Sequence, residues 1–326
     1  MSIGVIGAGA WGTALAQVVA SSGEEVRLWA REPEVVESIN TRHENSLFLP
    51  GVRLSEGVRA TADLARLGEV GTVLVVVPTQ FIRSVLANLP RQGQTLILCA
   101  KGIEAESLQF PVDIARETIA GAPIGVLSGP TFAHEVAAGL PTAVTVAAED
   151  IALARELSAL LARPTFRTYA SSDVIGAEIG GAVKNVLAIA CGVVEGMGLG
   201  LNARAALISR GFAEMSRFGM ALGARPETLS GLAGLGDLVL TCTSTNSRNF
   251  SLGKGIGEGA RAADLLADRR TVAEGAFTAP VLRRVAEQRG VEMPIVEAVC
   301  ALLDGSVSAK DAVGMLLSRP LRAEGV

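Results

Sequence analysis

The hydrophobic pattern changes character about halfway along the chain. In the first half, short apolar runs biased towards β-branched residues recur at Ile3–Ile6, Val26–Trp29, Thr72–Val77, Leu96–Cys99, Ile124–Leu127 and Ala143–Ala147. Continuous runs of this length predict strands buried on both faces, as in a parallel sheet. Helical patterns lie between most of them; the first is Thr13–Ser22, stopped by Gly23. Strands alternating with helices build βαβ units, so this half predicts an α/β, doubly wound parallel sheet. From Ser172 onward the signals are helical, rich in Ala, Leu and Gly, and predict an all-α domain. The junction is expected at Thr168–Asp173, giving domains 1–170 and 171–326.

Size agrees with two domains, since 326 residues exceed one ordinary core. Only 4 % of residues are aromatic, so the core must be mostly aliphatic. The net charge of −4 is spread without long runs, which argues against a nucleic-acid or membrane-surface partner. Cys99, Cys191, Cys242 and Cys300 form no CxxC pair and sit in or beside apolar stretches. Buried free thiols suit a reducing cytosol. The N-terminus lacks a basic region and a cleavage pattern, and no window holds about 18 uninterrupted apolar residues. The expectation is a cytoplasmic protein without a membrane span.

The first chemistry-bearing motif is Gly7-Ala8-Gly9-Ala10-Trp11-Gly12, a GxGxxG directly between a predicted strand and a predicted helix. Gly7 permits a tight turn, Gly9 lets backbone approach a pyrophosphate, and Gly12 lets helix and strand pack closely. The helix N-terminus supplies free N–H groups and positive dipole to phosphates. In this context the first domain reads as a Rossmann-type dinucleotide-binding domain; a purely structural turn is the other reading. "GKGIGEG" at 253–259 has no strand before it and reads as a loop. At the end of the second strand, where NAD sites usually carry an acid, stand Ala30-Arg31, followed by Glu32. Arg31 favours NADP(H) over NAD(H), because a guanidinium suits a 2′-phosphate; a solvated loop charge is the bland alternative.

Ligands of such sheets lie beyond the carboxyl ends of the strands. Those positions hold Pro78-Thr79-Gln80, Ala100-Lys101-Gly102 and Ser128-Gly129-Pro130-Thr131. Lys101 directly ends a buried strand. Lys184 interrupts "GAVKNVLAIACG" (181–192), an otherwise small and apolar helical stretch. It either snorkels to water or faces a cleft as a general acid/base. Gly180, Gly181 and Ala188 share its face and would leave room beside the ammonium. In "GLAGLGDLVLTCTSTNSRN" (231–249), Asp237 precedes a run of hydroxyl and amide side chains around Arg248. That cluster suits a phosphate, or else is a polar loop with helix caps. With His43 and His134 the only histidines and no acid cluster, no metal site is expected.

Together these segments resemble the bacterial-type NAD(P)-dependent glycerol-3-phosphate dehydrogenases. The resemblance is carried by "GAGAWGTALA" (7–16), "CAKG" (99–102), "SGPTFAHEV" (128–136), "GAVKNVLAIACG" (181–192), "GLGDLVLTC" (234–242), "NSRN" (246–249) and "VAEG" (272–275). They occur in family order and span almost the whole chain. The resemblance implies Lys184 as catalytic lysine. It implies substrate contacts from Lys101, Gly129, Thr131, Lys184, Asp237, Ser247, Arg248 and Asn249. Cofactor contacts follow for Gly7, Gly9, Ala10, Trp11, Gly12, Arg31, Lys101, Ala133, Arg248, Val272 and Glu274. Ala10 stands where many relatives carry Ser or Thr, and Thr131 replaces a frequent Ser.

The implied reaction is reversible hydride transfer between NAD(P)H and dihydroxyacetone phosphate, a small phosphorylated triose, giving sn-glycerol 3-phosphate for glycerophospholipid synthesis. A homodimer is implied as well. A two-domain hydroxy-acid dehydrogenase and a non-catalytic dinucleotide sensor are the alternatives.

Overall fold

The computed structural model describes residues 3–90, 92–267 and 273–320. The elements of the first half run β1 (Ile3–Ile6), α1 (Ala10–Ala20), β2 (Val26–Trp29), α2 (Pro33–Arg42), β3 (Glu44–Asn45), β4 (Leu49–Arg53), β5 (Val58–Thr61), β6 (Thr72–Val75), α3 (Thr79–Ala87), β7 (Thr95–Leu98), α4 (Pro111–Thr118), β8 (Ile124–Ser128), α5 (Ala133–Ala137), β9 (Thr142–Ala147), α6 (Ile151–Leu161) and β10 (Phe166–Ser171). Helices follow: α7 (Val174–Gly196), α8 (Gly200–Ala221), α9 (Pro226–Leu229), α10 (Asp237–Cys242), α11 (Arg248–Gly257), α12 (Ala262–Leu266), α13 (Glu274–Gln288), α14 (Pro294–Leu303) and α15 (Ala309–Leu317).

The eight-stranded sheet has the order β10-β9-β8-β7-β6-β1-β2-β5. Every neighbouring pair is parallel except β8 with β9, so β9 and β10 run against the rest. The α/β class expected from the pattern is thus the fold observed, with two differences. Strands β5 and β10 were not expected. Both lie at sheet edges and carry exposed positions, β10 burying Phe166 alone, so neither reads as a continuous apolar run. Residues 168–171, expected as a junction, belong to β10.

Side-chain alternation puts successive strand residues on opposite faces. Val5, Leu74 and Ile97 join one core cluster with Leu15 and Val19 of α1. Ile6, Val75 and Leu98 join another with Ile82, Leu86 and Ile114. Chain connectivity reverses between β1 and β6, and the loop after β1 opens at that switch point.

Two compact units are formed by residues 1–181 with 224–237, and by 182–223 with 238–326. Helix α7 is long and apolar enough to cross a membrane, yet 89 % of its most apolar window is buried within the fold. It is a core helix. In the second unit, the "GKGIGEG" segment corrects the sequence reading. Residues 253–257 are the end of α11, not a loop. A Cβ on Gly253 or Gly257 would overlap the carbonyl oxygens of Ile189 or Val193 on α7. One on Gly192 or Gly196 would overlap α11. The glycines are there because two helices touch backbone to backbone.

Two buried carboxylates cap helices from outside. In the first unit, Glu178 accepts the Val112 N–H (2.9 Å) at the start of α4. In the second, Glu214 of α8 accepts the Ile295 N–H (2.9 Å) at the start of α14. Burial pushes Glu178 up to about 8 and Glu214 up to about 7, against the counteracting backbone hydrogen bonds. A carboxyl raised in the folded state contributes stability that is complete below its unfolded value and lost as pH rises through the folded one. Thermal stability should therefore fall between about pH 5 and pH 9. Glu178→Gln, which mimics the protonated form, should flatten this slope by an amount on the order of a few kcal/mol. Melting curves across that range check this; an unchanged slope in the variant would rule out Glu178 as a source.

Candidate functional site

The turn after β1 shows why its three glycines stand there. Gly7 has φ +108°, and a Cβ on it would press on the Val76 carbonyl at 3.1 Å. A Cβ on Gly12 would overlap the Gly7 carbonyl oxygen. Around Gly9, by contrast, a Cβ would meet nothing within 4 Å. Crowding at two positions and open space at the middle one is what a backbone cradle for a ligand requires. Helix α1 begins at Ala10 with no side-chain cap on its first N–H groups and no acid in its first turn. Those amides are left for an anion. The Trp11 indole N–H is buried with no hydrogen-bond partner, a cost that a bound acceptor would remove. These residues fit the phosphates of a dinucleotide. Ala133 opens α5, which packs against α1. At the end of β2, Arg31 is 79 % exposed and donates to the Glu32 carboxylate at 2.9 and 3.1 Å.

Four of the expected substrate residues meet within the first unit. Lys101 Nζ donates to Asp237 Oδ2 at 2.6 Å and to the Gly129 carbonyl at 3.2 Å. The Thr131 hydroxyl donates to the same carbonyl at 3.3 Å. Asp237 is fully buried and the Lys101 side chain is 13 % exposed. In such surroundings neither charge is tolerable without the other. Gly180 and Gly181 do not leave open space, as the sequence suggested. The Ala233 carbonyl fills one vacancy and the aliphatic stem of Lys101 the other.

The second unit holds the remaining candidates. Lys184 is buried on α7, and its Nζ donates to the Thr241 hydroxyl at 3.0 Å. Snorkelling is thereby excluded. Ser247 caps α11, its hydroxyl accepting the Phe250 N–H at 3.2 Å. Arg248 is the exposed first residue of α11. Asn249 is buried; it donates to Asn185 Oδ1 at 3.0 Å and accepts the Gly275 N–H at 2.9 Å. That bond ties Asn249 to the start of α13, where Glu274 sits. Val272 lies outside the described residues. Sequence reasoning named neither Thr241 nor Asn185 as a site residue. Asn185 was legible as the other polar residue in the apolar stretch, and Thr241 as the hydroxyl opening the 241–249 cluster.

Comparison with known proteins decides the family. A model described as NAD-dependent glycerol-3-phosphate dehydrogenase N-terminus matches residues 2–154, and one for the C-terminus of the same family matches 173–314. The chain belongs to the NAD-dependent glycerol-3-phosphate dehydrogenase family. A glycerol-3-phosphate dehydrogenase (NAD(P)+) of Sphingopyxis alaskensis is 63 % identical over 99 % of this chain and 98 % of its own. One of Novosphingobium aromaticivorans is also 63 % identical, over 99 % and 98 %. The crystal structure of glycerol-3-phosphate dehydrogenase from Coxiella burnetii superposes with a TM-score of 0.93 at 38 % identity, covering 98 % of this chain and 99 % of the other. The chain is therefore an oxidoreductase that works with a nicotinamide dinucleotide.

Proposed function

We propose that the chain interconverts dihydroxyacetone phosphate and sn-glycerol 3-phosphate with NADPH or NADH, and that Lys184 is its general acid/base. The observation that carries the reading is a buried lysine, hydrogen-bonded to a threonine hydroxyl, in a chain matched end to end by glycerol-3-phosphate dehydrogenases. When bound, the dinucleotide supplies or accepts the hydride. As hydride reaches C2 of the ketone, charge grows on the C2 oxygen. The Lys184 ammonium stabilises that charge and delivers a proton. In the opposite direction the neutral amine takes the hydroxyl proton. Thr241 holds Nζ in place.

We assign the other roles from each residue's own surroundings. Gly7, Gly9, Ala10, Trp11 and Gly12 bind the dinucleotide phosphates; Ala133 and Glu274 are assigned to the cofactor on the family resemblance. Val272 is assigned with them on the family resemblance alone. Asp237 fixes Lys101, which with Gly129 and Thr131 contacts the substrate. Arg248 grips the phosphate at the N-terminus of α11, with Ser247 and Asn249 shaping that turn. The working division is 1–170 for the cofactor and 171–326 for substrate and catalysis. Four buried free cysteines support a cytoplasmic location. The product would feed glycerophospholipid synthesis. A homodimer is carried over from the family resemblance, and sedimentation velocity tests it.

The first experiment is loss of reduced-nicotinamide absorbance with dihydroxyacetone phosphate. Turnover is expected; no turnover with folded protein that binds NADPH would refute the substrate. NADPH is expected to be preferred to NADH, because Arg31 stands exposed two residues after β2 and Glu32 occupies only part of its donor fork. Arg31→Ala should lower the NADPH-to-NADH ratio of kcat/KM by up to about tenfold, or ~1.4 kcal/mol. An unchanged ratio would make Arg31 a solvated loop charge.

A further inference from the structure

Asn45 is the second residue of β3 and is fully buried, although it lies 37 positions from Ala8 in the chain. Its Nδ2 donates to the Ala8 carbonyl at 2.8 Å and to the Thr13 hydroxyl at 2.8 Å. Thr13 closes the triangle by donating to the same Ala8 carbonyl at 3.3 Å. Asn45 Oδ1 accepts the Phe48 N–H at 3.1 Å. Both amide hydrogens and the oxygen are therefore in use, and the orientation is forced, because a carbonyl can only accept.

The hairpin carrying Asn45 is itself tied down. The Ser38 hydroxyl donates to the Glu44 carbonyl at 2.6 Å, and the Leu54 N–H donates to the His43 carbonyl at 2.7 Å. Ala8 is the second residue of the glycine-rich turn, and its carbonyl belongs to the peptide unit that ends in the Gly9 N–H. A trans peptide is planar, with C=O and N–H pointing in opposite directions. A donor that holds the Ala8 carbonyl inward therefore aims the Gly9 N–H the opposite way, away from the Asn45 hairpin, at a residue around which a Cβ would meet nothing within 4 Å.

We propose that Asn45 is a positioning residue for the dinucleotide: by clamping the Ala8 carbonyl, it orients the Gly9 N–H towards the pyrophosphate. The inference rests on the reading of Gly7–Gly12 as the phosphate cradle. Its consequence is specific. Asn45 touches neither the proposed proton donor nor the phosphate grip, so its loss weakens the cofactor and spares the triose.

The test compares wild type, Asn45→Asp and Thr13→Val by NADPH titration calorimetry, initial rates and melting curves. Asn45→Asp keeps the shape but sets an acceptor against the Ala8 carbonyl. Its NADPH Kd and cofactor KM are expected to rise about tenfold. The dihydroxyacetone phosphate KM and kcat at saturating cofactor should stay within about twofold of wild type. Thr13→Val removes two sides of the triangle but leaves the Asn45–Ala8 bond, and should raise the cofactor KM about threefold with the same selectivity. If Asn45→Asp does not fold, Thr13→Val alone decides. Folded variants with wild-type cofactor affinity would overturn the proposal. So would equal losses in both KM values, which mark a merely structural role. Wild-type protein that binds no NADPH would refute the cradle reading itself, a separate outcome.

Discussion

Lys184→Ala is expected to lower kcat for dihydroxyacetone phosphate reduction by roughly a hundred- to ten-thousandfold, the range for loss of a positioned general acid. The reason lies in the surroundings of the side chain. Lys184 is buried and donates to Thr241, so water does not readily replace its ammonium as the proton donor. Substrate binding should suffer less, since the phosphate grip is assigned to Arg248. Initial rates at saturating NADPH and triose phosphate measure the effect, and melting curves separate it from misfolding. Near-normal turnover in a folded variant would remove Lys184 from the chemistry. Alanine is a strong helix former and matches the small apolar neighbours of position 184, so the variant is expected to fold. Thr241→Val provides a graded companion. It leaves the lysine but removes one of its partners, and a smaller loss of kcat is expected.

Arg248→Ala is expected to raise the triose phosphate KM by about 10- to 100-fold, the equivalent of ~1.5–3 kcal/mol for hydrogen bonds to a charged group. Arg248 is exposed at the first position of α11. Its fork and the helix N-terminus both favour an anion there. Ser247 is neutral and accepts the Phe250 N–H, and neutral Asn249 donates to Asn185 and accepts from Gly275. The arginine is thus the group in this turn with charge to offer. Inhibition by inorganic phosphate should weaken in parallel. An unchanged KM, with unchanged phosphate inhibition, would show that the anion is bound elsewhere. The Arg248→Lys variant should recover only part of the affinity, because an ammonium lacks the bidentate geometry.

Much of this site was legible in the chain because its chemistry breaks local rules. A lysine and an asparagine inside an apolar helix, three glycines at one strand end, and an arginine among hydroxyls are each conspicuous against their neighbours. The central strands were legible for the opposite reason. Burial on both faces leaves unbroken apolar runs, as at Ile3–Ile6 and Thr72–Val75. Where exposed positions interrupt the run, as in β5 and β10, that signal vanishes and both strands escaped notice.

The sequence by itself determined the α/β class, the helical second half, the glycine-rich turn after β1 and the identity of the polar residues that cluster. Periodicity, turn chemistry and local contrast are short-range properties, and these features depend on nothing else. Only the tertiary structure decided the partners. It paired Lys101 with Asp237 across 136 positions, placed Thr241 against Lys184, and brought Asn45 onto the Ala8 carbonyl. It also turned the glycines of 253–257 from a loop into a helix face packed on α7. Each of these depends on which surfaces the folded chain presses together. A hydrogen-bond partner supplied from a distant strand or helix leaves no trace in the residues beside it.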